Sequence, residues 1–250
     1  MQPVYAHDLV KRSEISRVLV IAAHPDDIDF GAASTIAALT ASGVEVTYCL
    51  VTSGDAGGFE LDHSPEAMIA RREQEQRDAA KVVGVHDVRY LKHLDGYVEP
   101  NHALVSELVA LMRQVQPDIV ISQHPQRNWD RLQASHPDHI AVGEATVRAV
   151  YPAVENPFAY PDLGHLPAFR IGQLWMMGAP ADLVNLCVDI TDYVDMKLEA
   201  LHQHNSQHPD PAAMDARVRS ALESNHPDAG RAAEVFHVAA INDETTFAGF

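Results

Sequence analysis

A chain of 250 residues, 46% hydrophobic and 21% charged, suits one compact domain that buries roughly 70–75% of its unfolded surface without help from disulfides or a structural metal. The 18 lysines and arginines against 35 aspartates and glutamates leave a formal charge of −17, which argues against nucleic acid and anionic membrane as partners, because both select basic surfaces. Cys49 and Cys187 sit in separate apolar runs and form no CxxC pair, so a thiolate zinc site and a thioredoxin-type centre are excluded. The stretch up to Arg17 is polar and lacks an apolar core with a cleavage site, and no uncharged apolar run approaches the ~18–20 residues of a bilayer span. The expectation is a soluble, cytoplasmic protein with no membrane span. The 15 histidines stand out, since imidazole is the side chain most used for metals and for proton transfer near neutral pH.

Residues 17–23 are a short apolar run rich in β-branched side chains, the pattern of a parallel strand buried on both faces. After the segment His24-Pro-Asp-Asp-Ile-Asp-Phe-Gly31, residues 32–42 read as an amphipathic helix ended by Gly43, and 44–51 as a second strand. Residues 64–83 have helical spacing, with Ser64 as cap, Pro65 in the first turn and Gly84 as stop. A short strand at 88–91, a helix at 102–114, a buried strand at 117–122 and a helix from about 137 to 150 follow. Further on, 172–177 and 186–190 read as strands, and 192–204 and 212–224 as helices. This alternation implies βαβ units: an α/β fold with a mostly parallel sheet flanked by helices. A single domain spanning 1–250 is expected, with its core at about 17–150 and a C-terminal elaboration at about 151–250.

In such sheets ligands bind beyond the C-terminal strand ends, so the loop after the first long strand faces the site. Neither a GxGxxG nor a GxxxxGK[ST] sequence occurs anywhere in the chain. The loop carries His24, Asp26 and Asp27 in their place. Two adjacent aspartates at a buried strand end repel each other and lose hydration, a cost removed by protonation of one of them or by a shared cation, a need that a divalent metal meets. The second constellation is Ser135-His-Pro-Asp-His139, where His136 and His139 lie three apart and share a face of a helical turn. Two imidazoles and a carboxylate from the two motifs match catalytic zinc, which takes three protein ligands and leaves a position open.

These motifs, with Thr52-Ser-Gly-Asp55, Arg72-Glu73 and Asp95-Gly96, resemble the PIG-L/LmbE-like zinc-dependent N-deacetylases over the N-terminal two-thirds of the chain. The resemblance implies a Rossmann-like fold and a hydrolase that removes acetyl, or a related acyl group, from an amino-sugar nitrogen. It implies that His24, Asp27 and His139 bind Zn²⁺ or another divalent transition metal, and that Asp26 is the general base acting on the metal-bound water. It also implies that His136 stabilises the oxyanion or protonates the leaving amine, with Asp138 holding its ring, and that Arg72 and Asp95 line the substrate pocket. The expected partner is a small N-acylated amino-sugar-like molecule, and the family also suggests a homo-oligomer.

Ala134 departs from members of the family that place a hydroxyl-bearing aromatic there. His124, at a strand end, is a further candidate for the substrate pocket. His63, His86, His93, His102 and His165 read as surface residues, and the segment from His202 to Gln207 as a helix end with a capping and packing role. Trp129 and Phe158 suit a stacking platform, a core or an interface. Competing functions are an amidase acting on a non-sugar amide and a non-catalytic metal or sugar binder. A serine hydrolase using Ser53 or Ser135 lacks the GxSxG elbow.

Overall fold

The structure is a computed structural model that describes residues 1–5, 8, 15–58, 64–129, 132 and 135–241. A two-residue strand, β1 (Val4–Tyr5), precedes β2 (Arg17–Ala22), in which every residue after Arg17 is buried. Val18, Val20 and Ala22 enter one apolar cluster, while Leu19 and Ile21 enter another on the opposite face of the sheet. The chain continues through α1 (Asp27–Ala41), β3 (Glu45–Thr52), α2 (Pro65–Val82), β4 (Asp87–His93), α3 (His102–Val115), β5 (Ile119–Gln123) and α4 (Pro137–Arg148). The second half adds β6 (Gln173–Met177), β7 (Leu186–Asp189), α5 (Val194–Leu201), α6 (Pro211–Asn225) and β8 (Ala233–Ala240). Helices α1, α2, α5 and α6 contribute to the first cluster; α3 and α4 contribute to the second.

The strands form one eight-stranded sheet in the order β1-β7-β8-β6-β5-β2-β3-β4. All pairs are parallel except those of β8, which runs antiparallel to both β6 and β7. This is the α/β fold expected from the sequence. The chain order reverses between β2 and β5, because β2 leads to β3 on one side and has β5 on the other. Loops leaving adjacent strands in opposite directions open a crevice there. His24 leaves β2, and the His136–His139 motif follows β5, so the topology brings the two together. Among the described residues no helix is long and apolar enough to cross a membrane.

The structure departs from the sequence reading in places. Helix α1 begins at Asp27, five residues before the expected start at Ala32. Asp27 and Asp29 in its first turn complement the positive helix end, and Gly31 is tolerated inside it because a side chain there would collide with Met177. The helix expected over 192–204 is a 3₁₀ turn, Thr191–Tyr193, followed by α5 alone. Strand β8 was not anticipated, since Glu234 and His237 interrupt its apolar pattern. Glu234 is nevertheless buried: it binds Lys197 Nζ of α5 at 2.6 Å and accepts from the backbone N–H groups of Ser34 and Thr35 at 3.1 and 2.7 Å. Lys197 also donates to the Phe30 carbonyl at 2.7 Å, so the ion pair ties α5 and β8 into the middle of α1.

Candidate active site

The loop after β2 turns sharply at Asp26, whose φ of 87° is left-handed, a conformation that aspartate tolerates better than most residues. The Asp26 N–H donates to Gln76 Oε1 at 2.8 Å, and the His24 N–H to Asp27 Oδ2 at 2.7 Å. The first bond fixes the backbone of the turn, and the second holds the Asp27 carboxylate at the crevice. From the far side, the start of α4 delivers His139, with Pro137 in its first turn.

Three side chains converge. His24 Nδ1 lies 3.2 Å from Asp27 Oδ2 and 3.3 Å from His139 Nε2, and His139 Nε2 lies 3.0 Å from Asp27 Oδ1. Four ligand atoms around a zinc ion at about 2.0–2.1 Å stand about 3.3 Å apart, so this spacing is that of donors gathered for one small cation. The His136 ring joins the group, with centroids 4.9 Å from His24 and 5.4 Å from His139, and His24, His136 and His139 offer ring nitrogens within 4.8 Å of one another.

The opposite edge of His24 faces more carboxylates. Its Nε2 lies 3.0 Å from Asp95 Oδ1 and 3.2 Å from Asp138 Oδ2. Burial opposes a charge on His24, but hydrogen bonds to Asp138, Asp27 and Asp95 outweigh it and push its pKa up to about 12. Burial of the partly exposed Asp27 carboxylate opposes its charge, yet His139 and His24 hold it well below the usual carboxylate range. Against burial, His24 likewise lowers Asp95 and Asp138. Three carboxylates around one ring are a concentrated demand for positive charge, which the donor set meets best with a divalent cation. Carboxylates behind a ligating histidine fix its tautomer and orientation.

The sequence expected Asp138 to hold His136, and the geometry differs. The Asp138 carboxylate accepts the N–H groups of Gly96 at 2.7 Å and Val98 at 3.3 Å and faces His24. His136 Nδ1 instead accepts the Asp138 backbone N–H at 3.2 Å, which leaves the ring proton on Nε2. Burial, followed by the nearby His24, lowers the His136 pKa and keeps the ring neutral.

Arg72 and Asp95, expected to line a substrate pocket, serve as scaffolding in the described structure. Arg72 donates to the carbonyls of Pro25 at 2.8 Å and Gly54 at 3.2 Å, and stands 3.5 Å from Asp26 Oδ2. Asp95, at 9% exposure, backs His24. Gly54 adopts φ +70°, and a Cβ there would strike the Arg72 guanidinium. Gly54→Ala is expected to destabilise the protein by about 1–3 kcal/mol, from left-handed strain and the displaced arginine; an unchanged urea midpoint would contradict this packing.

His124 is buried at the end of β5, donates to or accepts from His237 at 3.0 Å, and accepts the Gln126 N–H at 3.1 Å. Burial and His237 lower its pKa to about 4. It borders a cavity that also reaches Asp27 and His139 but makes no bond to the cluster. His86, His102 and His165 are exposed, as read from sequence, while His93 pairs with Glu107. Trp129 and Phe158 are exposed at 81% and 87%, so neither is core. Ala134 and His63 lie outside the described residues.

Sequence reasoning missed three groups that shape the site. Gln123 bridges the crevice, accepting the Ala23 N–H and donating to Asp27 Oδ2, both at 3.0 Å. Gln76 accepts from Asp26 and donates to the fully buried Asp29 at 2.8 Å, and His204 bonds the same Asp29 oxygen at 2.8 Å. His208 Nε2 lies 3.4 Å from Asp26 Oδ2, too poorly aligned for a hydrogen bond, with its ring edge-on to Phe30. A polar residue ending a buried strand was the available clue for Gln123; the spacing of Arg72, Glu73 and Gln76 on one helix face was the clue for Gln76. Nothing local marks His208.

The family described as "PIG-L: GlcNAc-PI de-N-acetylase" matches residues 19–150, which carry every member of this cluster. The chain belongs to the PIG-L family. It is accordingly an enzyme of the deacetylase kind. Diacetylchitobiose deacetylase of Thermococcus kodakarensis is 31% identical over 201 residues, 79% of this chain and 72% of that protein. A protein of Bacillus cereus named "Probable N-acetyl-alpha-D-glucosaminyl L-malate deacetylase 2" is 34% identical over 197 residues, 76% of this chain and 83% of its own. The solved N,N'-diacetylchitobiose deacetylase of Pyrococcus horikoshii superposes with a TM-score of 0.83 at 27% identity, covering 91% of this chain and 85% of that one.

Proposed function

We propose that this PIG-L family member removes the N-acetyl group of an N-acetylglucosamine derivative, with His24, Asp27 and His139 holding a divalent metal ion, zinc in the first instance. The observation that carries the reading is the mutual approach of those three donors, at 3.0–3.3 Å, across the switch point of the sheet. The names of the relatives, which record acetylated glucosamine compounds, supply the substrate class.

The chemistry available from a divalent ion held there is Lewis acidity toward an amide carbonyl and toward water. Asp26 stands beside Asp27 without sharing its contacts to His24 and His139, so its carboxylate is free to take a proton from attacking water. Arg72 donates to that carboxylate at 3.5 Å, and His208 stands beside it. His136, neutral and carrying its proton on Nε2, would donate a hydrogen bond to the carbonyl oxygen as negative charge develops, and the proton taken from water by Asp26 would pass to the departing amine. Asp138 and Asp95 fix the His24 ring, and Gln123 fixes Asp27.

Elemental analysis of the purified protein together with acetate release from N-acetylglucosamine and diacetylchitobiose tests the reading. Stoichiometric divalent metal is expected, with activity lost on chelation and restored by Zn²⁺. Activity that survives complete removal of metal would sink it.

A further inference from the structure

A groove of about 810 Å³ opens beside the histidine–aspartate cluster, and Asp27, His124 and His139 border one end of it. From there it passes between α1, the adjoining ends of β6 and β8, and one face of α6, along Phe30, Met177, Met214, Val218, Leu222 and Val235. Met214, Val218 and Leu222 recur at helical spacing on α6, so they form one continuous apolar wall. Of its polar borders, Lys197 and Glu234 bind each other at 2.6 Å, Gln123 is engaged with Ala23 and Asp27, and Asp210, Arg217 and Asn225 stand at the exposed rim. His136, the side chain placed to meet the reacting amide, does not border the groove.

A volume of this order accommodates a drug-sized ligand, within the range of about 300–1,000 Å³. An acetyl group has two carbons and leaves nearly all of it unfilled. The apolar surface therefore serves the amine half of the substrate. The geometry points to this groove as the subsite for an apolar aglycone carried by the N-acetylated amino sugar. The inference rests on the deacetylase reading above and narrows its substrate class. Each methylene taken out of water is worth about fourfold in affinity, so a partly buried alkyl chain has a measurable effect.

The test compares N-acetylglucosamine, octyl N-acetylglucosaminide and N-octanoylglucosamine on the metal-loaded protein, in wild type and in Ala221→Trp. Ala221 borders the groove from an exposed position on α6, so the substitution obstructs the groove without disturbing the core. The octyl glycoside is expected to exceed N-acetylglucosamine about tenfold or more in kcat/KM, mainly through KM, and Ala221→Trp to remove most of that ratio. Equal kcat/KM for the two acetylated compounds, or a preference for the N-octanoyl compound, overturns the proposal. Calorimetric titration with octyl glucosaminide, the amine product, decides the groove without turnover: it is expected to bind more tightly than glucosamine in wild type and to lose that advantage in Ala221→Trp. Acetate release without any octyl preference overturns the groove alone. Tight binding of octyl glucosaminide without acetate release from any compound overturns the deacetylase reading and leaves the groove standing.

Discussion

Asp26→Asn is expected to lower turnover about 10²–10⁴-fold while metal content stays close to that of the wild-type protein. Asparagine has nearly the shape of aspartate and is at ease in the left-handed conformation at φ 87°, so the loop and the Gln76 bond to its N–H persist. What disappears is the capacity to accept a proton. His139→Ala should behave differently. It removes one of the three donors that stand 3.0–3.3 Å apart, and both metal content and turnover should fall. Paired measurements of metal stoichiometry and kcat on the two variants separate the roles. Asp26→Asn with wild-type turnover refutes the base assignment, and His139→Ala with full metal content refutes the ligand assignment.

Lys197→Met is expected to destabilise the fold by about 3–5 kcal/mol, because removing one member of a buried ion pair leaves the other charged and unpaired. Lys197 and Glu234 have side-chain exposures of 1% and 2%. Glu234 would keep its two backbone donors from Ser34 and Thr35 but lose its cation, and the Phe30 carbonyl would lose a donor. The double variant Lys197→Met/Glu234→Gln should recover part of the loss, since no uncompensated charge remains inside. Urea unfolding of the three proteins measures both steps. A loss below about 1 kcal/mol for the single variant would show that water reaches the pair.

The first half of the fold was readable because its signals are local. The apolar run ahead of His24, the Ser64-Pro65 start and the strand before His124 each state their structure within a few residues, and each was found with small boundary errors. Helix α1 was misplaced because Gly31 argues locally against a helix, and only its contact with Met177 explains that glycine. Strand β8 was missed for a related reason: a glutamate within a strand reads as exposed until Lys197 is known to lie against it. The contact of His208 with Asp26 joins residues far apart in sequence and leaves no periodic trace.

The order of residue types along the chain determined the chemistry on offer: imidazoles and paired carboxylates at strand ends, few thiols, and the alternation that builds a parallel sheet. Those properties follow from side-chain composition and short-range spacing. Only the tertiary structure decided which groups meet. The reversal of strand order between β2 and β5 sets His24 and Asp27 against His139, and the hydrogen-bond geometry turns Asp138 toward His24 instead of His136. Partner choice of this kind depends on distances and angles between segments more than a hundred residues apart, which a one-dimensional pattern does not encode.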